Sequence, residues 1–202
     1  MAAAAELFAE LGYARTTLAK IAAAAEVSIE TVQAQGSKAS LMIASVEFTA
    51  FGVTGDQSVL DLELGRRFVA LSDRDEAIDF IVAEQTAIHQ RSARITQALF
   101  GAAANDPELD GYLTDLIAGV GRQLRRMLEV CQDRGWLRDD IPFDELVETV
   151  AVIASIDTFI RIVQRDGWSV DAYRAWFRRM LDELVLPPAR NRRRSHRATT
   201  QP

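Results

Sequence analysis

Cysteine occurs once in the 202 residues, at Cys131, and histidine twice, so the chain can build neither an internal disulfide nor a His/Cys metal cluster. No apolar run reaches the eighteen or so residues that a membrane-spanning helix needs. The first residues lack the basic region and apolar core of a secretion signal, which predicts a cytoplasmic location. There is no Gly-rich loop to cradle a phosphate, no ordered Ser, His and acid set, and no convergent pair of carboxylates. Catalysis is therefore not expected, and no cofactor is called for. Period-two alternation is also missing beyond short stretches, while apolar residues recur at helical spacing in every segment, so the chain reads as all-α. Cations are scarce at the N-terminal end. Residues 1–50 hold only Arg15, Lys20 and Lys38 against Glu6, Glu10, Glu26, Glu30 and Glu47, and the formal net charge is −6. This balance argues against nucleic-acid binding, because affinity for DNA rests largely on Lys and Arg neutralising phosphates.

What the sequence does have is a patterned stretch at residues 16–38, TTLAKIAAAAEVSIETVQAQGSK. Leu18, Ile21, Ala22 and Ala25 give a first short helix one narrow apolar face, with Thr16 or Thr17 as its cap. After a turn at residues 24–27, Ser28 caps a second helix. Val32 faces the first helix, and Ile29, Glu30, Thr31, Gln33 and Gln35 point outward. Gly36 and Ser37 close it and open a third start. The outline is a helix-turn-helix.

With its flanks, the stretch resembles the DNA-binding end of the TetR family of transcriptional regulators. The matching run is AELFAELGYARTTLAKIAAAAEVSIETV, with a first helix ending in Gly-Tyr, then Thr-Thr, Ile-Ala, Val-Ser and Ser-Lys in the family's order. The resemblance implies a homodimer that places two heads about one turn of DNA apart on a near-palindromic operator, and a helical body that binds a small, mainly apolar effector. By position, Ser28, Ile29 and Glu30 are expected at base edges. Thr17, Thr31, Gln33 and Lys38 are expected at phosphates, with Thr16 and Gln35 in the same set. Two positions depart from the family pattern. Gln33 to Gly36 stand where an aromatic-rich run is usual, and Glu26 stands where a turn glycine is expected.

The remainder reads as helices over residues 59–71, 73–90, 92–104, 107–133, 143–165 and 170–184, separated by Gly, Pro and Asp signals. Three units follow: a helix-turn-helix head at 1–46, an effector-binding and dimerisation body at 47–186, and a basic tail at 187–202 carrying Arg190, Arg192, Arg193, Arg194 and Arg197. Phe80, Phe100, Tyr112, Met127 and Trp136 are expected to line the effector pocket, with Gln85 and His89 orienting the ligand. The last two helices are apolar on more than one side, which predicts a two-fold four-helix interface through Ile153, Asp157, Ile160, Arg161, Tyr173, Trp176, Phe177 and Met180. An i, i+4 pair between Asp157 and Arg161 is expected there. The acidic head leaves a rival reading, a helical dimer of the same fold that has lost DNA binding and serves only to bind a small molecule or a partner.

Overall fold

The computed structural model describes residues 1–51 and 63–187. The regular structure among them is helical: α1 (Ala2–Arg15), α2 (Leu18–Ala24), α3 (Ile29–Gln33), α4 (Lys38–Phe51), α5 (Glu63–Ala70), α6 (Arg74–Ala103), α7 (Pro107–Asp133), α8 (Phe143–Ile153), α9 (Ile156–Phe159), a π-helical turn (Ile160–Arg165) and α10 (Val170–Leu184). None of these helices is long and apolar enough to cross a membrane. The expected loop at Gly52, Gly55, Asp56, Gln57 and Ser58, the start of the short helix before α5, and the arginines of the tail lie outside the described residues.

Hydroxyl caps organise the head. The Thr17 hydroxyl accepts from the Lys20 amide at 3.2 Å, Ser28 from Thr31 at 3.1 Å, and Ser37 from Ser40 at 2.9 Å, so each of the three short helices opens on a side-chain cap. Helix α1 is interrupted at Gly12, whose φ of +75° satisfies the left-handed stop that its sequence position predicts. Phe8, Ile21, Ala22, Val32, Leu41 and Met42 then pack into one core.

Two expected boundaries are corrected. Residues 73–104 form the single helix α6 rather than two. Nothing between Gln90 and Ser92 breaks a helix, and the Ser92 hydroxyl donates back to the Ile88 carbonyl at 2.7 Å instead of capping a new start. Conversely, the expected helix over residues 143–165 breaks at Ala154 and Ser155. The Ser155 hydroxyl caps the Thr158 amide at 3.0 Å, and the Thr158 hydroxyl donates to the Val152 carbonyl at 2.7 Å. These local bonds outcompete the continuing helix ladder and leave the Ala154 carbonyl to other donors.

Helix α6 joins two cores. Its first half buries Ala77, Ile78 and Val82 with Phe159, Tyr173, Phe177 and Leu181, and its last half buries Ile95, Leu99, Ala102 and Ala103 with the head. Arg91 on α6 also donates to the Thr49 carbonyl at 3.0 Å and to that of Ala50, covering the C-terminal end of α4.

Glu26 occupies the left-handed region at φ 56°. It ends α2 in a Schellman turn, with the Val27 amide on the Ala22 carbonyl at 3.0 Å and the Glu26 amide on that of Ala23 at 3.3 Å. A side chain in this conformation costs about 1 kcal/mol relative to glycine. Glu26→Gly is therefore expected to stabilise the protein by up to about that amount, read as a higher urea midpoint at unchanged slope. A lower midpoint would show that the turn is not strained.

Candidate nucleic-acid interface

Helix α3 is held by one side chain and free on its other face. Val32 is buried against the head core, whereas Glu30, Thr31, Gln33 and Gln35 are exposed and Ile29 is 42% exposed. The expected base-contacting and phosphate-contacting groups of this helix thus share one outward surface. Ser28 sits at its start, with its oxygen 3.1 Å from the Thr31 hydroxyl and engaged as the cap. The Glu30 carboxyl is held below the usual carboxylate range, first by its own backbone amide and then by the Ser28 hydroxyl, so it presents a negative charge on this face.

The threonine pair divides its work. Thr17 is exposed at the start of α2, but Thr16 is wholly buried, and its hydroxyl is directed to the carbonyls of Gly12 at 2.8 Å and Leu7 at 3.1 Å. Thr16 cannot reach a phosphate, which corrects the expectation for it. It is a core hydroxyl that holds the turn between α1 and α2.

The three head cations are tied back to the protein. Arg15 Nε donates to the Leu11 carbonyl at 2.8 Å, and Lys20 Nζ to that of Arg15 at 2.8 Å. Lys38 Nζ donates to the Tyr13 carbonyl at 3.0 Å and lies 4.0 Å from the centroid of the Tyr13 ring. Each retains further N–H donors, so these bonds orient the cations without exhausting them.

Tyr13, which enters the sequence reading only as part of the Gly-Tyr pair, is a joint. Its hydroxyl donates to Asp106 at 2.9 Å, and Asp106 also caps α7 through the Glu108 amide at 3.1 Å. Burial first, then the Asp106 bond and charge, push the Tyr13 hydroxyl up to about 12. Beside it, the Ser40 hydroxyl donates to Glu108 at 3.1 Å. The start of α7 therefore grips both α1 and α4. A sequence signal existed in the Asn-Asp-Pro start of α7, but nothing in it named the partner on the head.

The expected effector residues do not converge. Phe80, Met127 and Trp136 border the body core, whereas Tyr112 borders the head core, where burial and then the Glu47 carboxylate raise its hydroxyl above the ordinary range. Phe80 lies under the Arg67 guanidinium at 4.9 Å and Trp136 under that of Arg134 at 4.8 Å. Phe100 is half-buried further along α6. A cleft of about 350 Å³ lies between the end of α1 and the end of α6, and one of about 520 Å³ beside Arg74 and Arg178. None of the seven residues lines either. Gln85 and His89 do stand together, with Gln85 Nε2 2.8 Å from His89 Nε2. His89 is only 3% exposed.

The expected dimer residues divide between the chain's own core and its surface. Ile153, Ile160, Tyr173 and Phe177 are buried in the chain's own core, and Trp176 and Met180 border it, because α9 and α10 pack on α6 and α8 packs on α7 and α10. Arg161 bonds Asp166 at 2.8 Å rather than the exposed Asp157. Among the apolar groups left exposed on and next to these helices are Val152, at 65%, Trp168 and Leu184, with Ala172 and Ala175 exposed on α10.

Burial depresses His89 from 6.5 to about 4. Between those values the unfolded chain binds the extra proton, so this group's contribution is complete above pH 6.5 and is lost as pH falls toward 4, on the order of 3 kcal/mol in all. Urea midpoints at neutral and mildly acid pH should show a smaller acid loss for His89→Gln than for the parent chain. Equal losses would contradict a buried neutral ring.

Residues 1–44 match the family described as "Bacterial regulatory proteins, tetR family". No curated protein matches the sequence. Among solved structures, the fold is similar to a protein from Saccharomonospora viridis described as a transcriptional regulator, in complex with choline, at a TM-score of 0.70 and 16% identity over 93% of this chain and 95% of that one. It is similar to the fatty acid degradation regulator FadR from Bacillus halodurans at a TM-score of 0.65 and 16% identity, over 89% and 90% of the two chains. It is also similar to a linker-substituted HlyIIR at a TM-score of 0.56 and 15% identity, over 87% and 91%. Residues 1–44 therefore match the TetR-family model, and the chain shares the all-α fold of these solved structures.

Proposed function

We propose that the chain is a DNA-binding regulator that acts as a homodimer on a near-palindromic operator, and that it is a repressor released by a small effector. The observation that carries this reading is the outward face of α3. Ile29, Glu30, Thr31 and Gln33 are exposed together on a helix anchored by Val32, within the segment that matches the family. Ile29 suits a thymine methyl and Glu30 a cytosine amino group, while Thr17, Thr31 and Lys38 suit phosphates. Residues 1–46 would form the DNA-binding unit and residues 47–186 the effector and dimer unit.

A second copy is supported by the exposed Val152 and Trp168, and by the small exposed residues Ala172 and Ala175 on α10. Small residues let two helices approach closely, and an isologous contact would cover both apolar groups at once. The effector role is supported by the fold, since a protein of similar fold holds choline. An effector acts only through unequal affinity for the two head spacings.

Anisotropy titration against DNA flanking the gene, at two salt concentrations, tests the reading. Saturable binding is expected, with each phosphate-paired cation adding about 0.9 to the salt slope. Lys38→Ala should flatten that slope by about one such increment across all sequences, whereas Ile29→Ala should act on the preferred site alone. Absence of saturable binding would leave the rival reading, a helical dimer without DNA binding. Sedimentation should find a dimer that Val152→Glu converts to monomer, with DNA affinity falling by about a hundredfold through lost avidity. A parent chain that sediments as a monomer would contradict the two-headed mechanism.

A further inference from the structure

Of the buried side-chain polar atoms that lack a protein partner among the described residues, two belong to rings that pack against Phe159. They are His89 Nδ1 and the Tyr173 hydroxyl, on rings whose centroids lie 5.5 Å and 5.1 Å from that of Phe159. His89 is 3% exposed and Tyr173 fully buried, so water at the surface satisfies neither.

Gln85 decides which proton His89 carries. Its amide nitrogen lies 3.4 Å from the Ala154 carbonyl, which can only accept, so the amide presents its NH₂ and not its oxygen. The other hydrogen of that NH₂ goes to His89 Nε2 at 2.8 Å. Nε2 is thus an acceptor, and the neutral ring holds its hydrogen on Nδ1. The break between α8 and α9 is what frees the Ala154 carbonyl for this task. The result is an oriented N–H donor inside the core with nothing to receive it, a condition that native proteins rarely leave unanswered.

Resting on the effector-responsive reading above, we propose that this N–H and the Tyr173 hydroxyl anchor the effector, and that the effector offers them an uncharged oxygen acceptor, such as a carbonyl, on a compact apolar body. Phe159, Tyr173 and Trp176 supply the apolar contact, with the Trp176 ring 5.8 Å from that of Tyr173 and half-buried at the edge of the cluster. The basicity of His89 is lowered by burial alone and Arg161 is held by Asp166 at 2.8 Å, which disfavours a charged head group.

A matched series on one ring skeleton tests this: cyclohexanone, cyclohexane, cyclohexanecarboxylate and cyclohexylammonium, followed by tryptophan fluorescence and by nitrogen NMR of labelled histidine in the full chain. Cyclohexanone should bind at least tenfold tighter than the other three and move the Nδ1–H resonance. Tyr173→Phe and His89→Phe should each weaken it by about tenfold, the worth of one such bond, and leave cyclohexane unchanged. Tyr173→Phe removes a single oxygen and keeps the packing, so it covers the case in which the His89 variant fails to fold. Equal binding of ketone and alkane, preference for either ion, failure of the ketone to bind, or a Nδ1–H in exchange with an enclosed water would each overturn the proposal. DNA titration of the ligand-free chain is independent of this series. Failure here with saturable DNA binding rejects the effector class alone, and ketone binding without DNA binding rejects the regulator reading alone.

Discussion

Helix α6 buries side chains in both cores at once, and the rest of the structure hangs on that. Ile78 and Val82 close the body core, while Ile95 and Leu99 close the head core from the same unbroken rod. Each fully buried side chain of this size contributes roughly 1.5–3 kcal/mol. The head, with a first helix interrupted at Gly12 and a third helix of five residues, has too little apolar surface of its own to be indifferent to that contribution. A rigid rod shared by two cores also conveys position, since a shift of α6 at His89 must reach Leu99 and the helices packed on it.

Polar contacts at the two ends of the head refine this joint. The Tyr13 hydroxyl on Asp106 and the Ser40 hydroxyl on Glu108 fix α1 and α4 to the start of α7, while Arg91 fixes the far end of α4 to α6. The DNA-facing surface is therefore oriented by the body at both ends of α4. An effector that altered the angle of α6 would alter the spacing of two such heads, which is the physical content of a ligand-responsive switch. The scarcity of cations fits the same scheme. With Arg15, Lys20 and Lys38 each held by a carbonyl, the head presents few but oriented charges.

The elements that were legible in the sequence are those with local punctuation. Thr17, Ser28 and Ser37 cap as their spacing predicts, α7 and α10 begin and end where Pro107, Gly135, Gly167 and the following prolines place them, and Val32 faces inward on α3. What escaped was decided by tertiary competition. Ser92 resembles a helix start but bonds backward within α6, and Ser155 resembles a mid-helix residue but caps a new one. Apolar excess on α8 and α10 reads as an interface, whereas Tyr173 and Phe177 are covered by the chain's own core. Thr16 and Thr17 are indistinguishable by type, and only the buried carbonyl of Gly12 separates them. Gln85 and His89 were visible as a polar pair at i, i+4, whereas the Ala154 carbonyl that orients them lies far along the chain.

The claim that one helix makes head and body a single cooperative unit is tested most directly by native-state hydrogen exchange on Ile78→Ala, a truncation in the body core far from the head. Such a loss costs about 2–5 kcal/mol. The account predicts that the protection of the α1 and α4 amides around Phe8 and Met42 falls by the same free energy as that of the body amides around Val82. Head protection that stays at its parent value while the body loosens would contradict it.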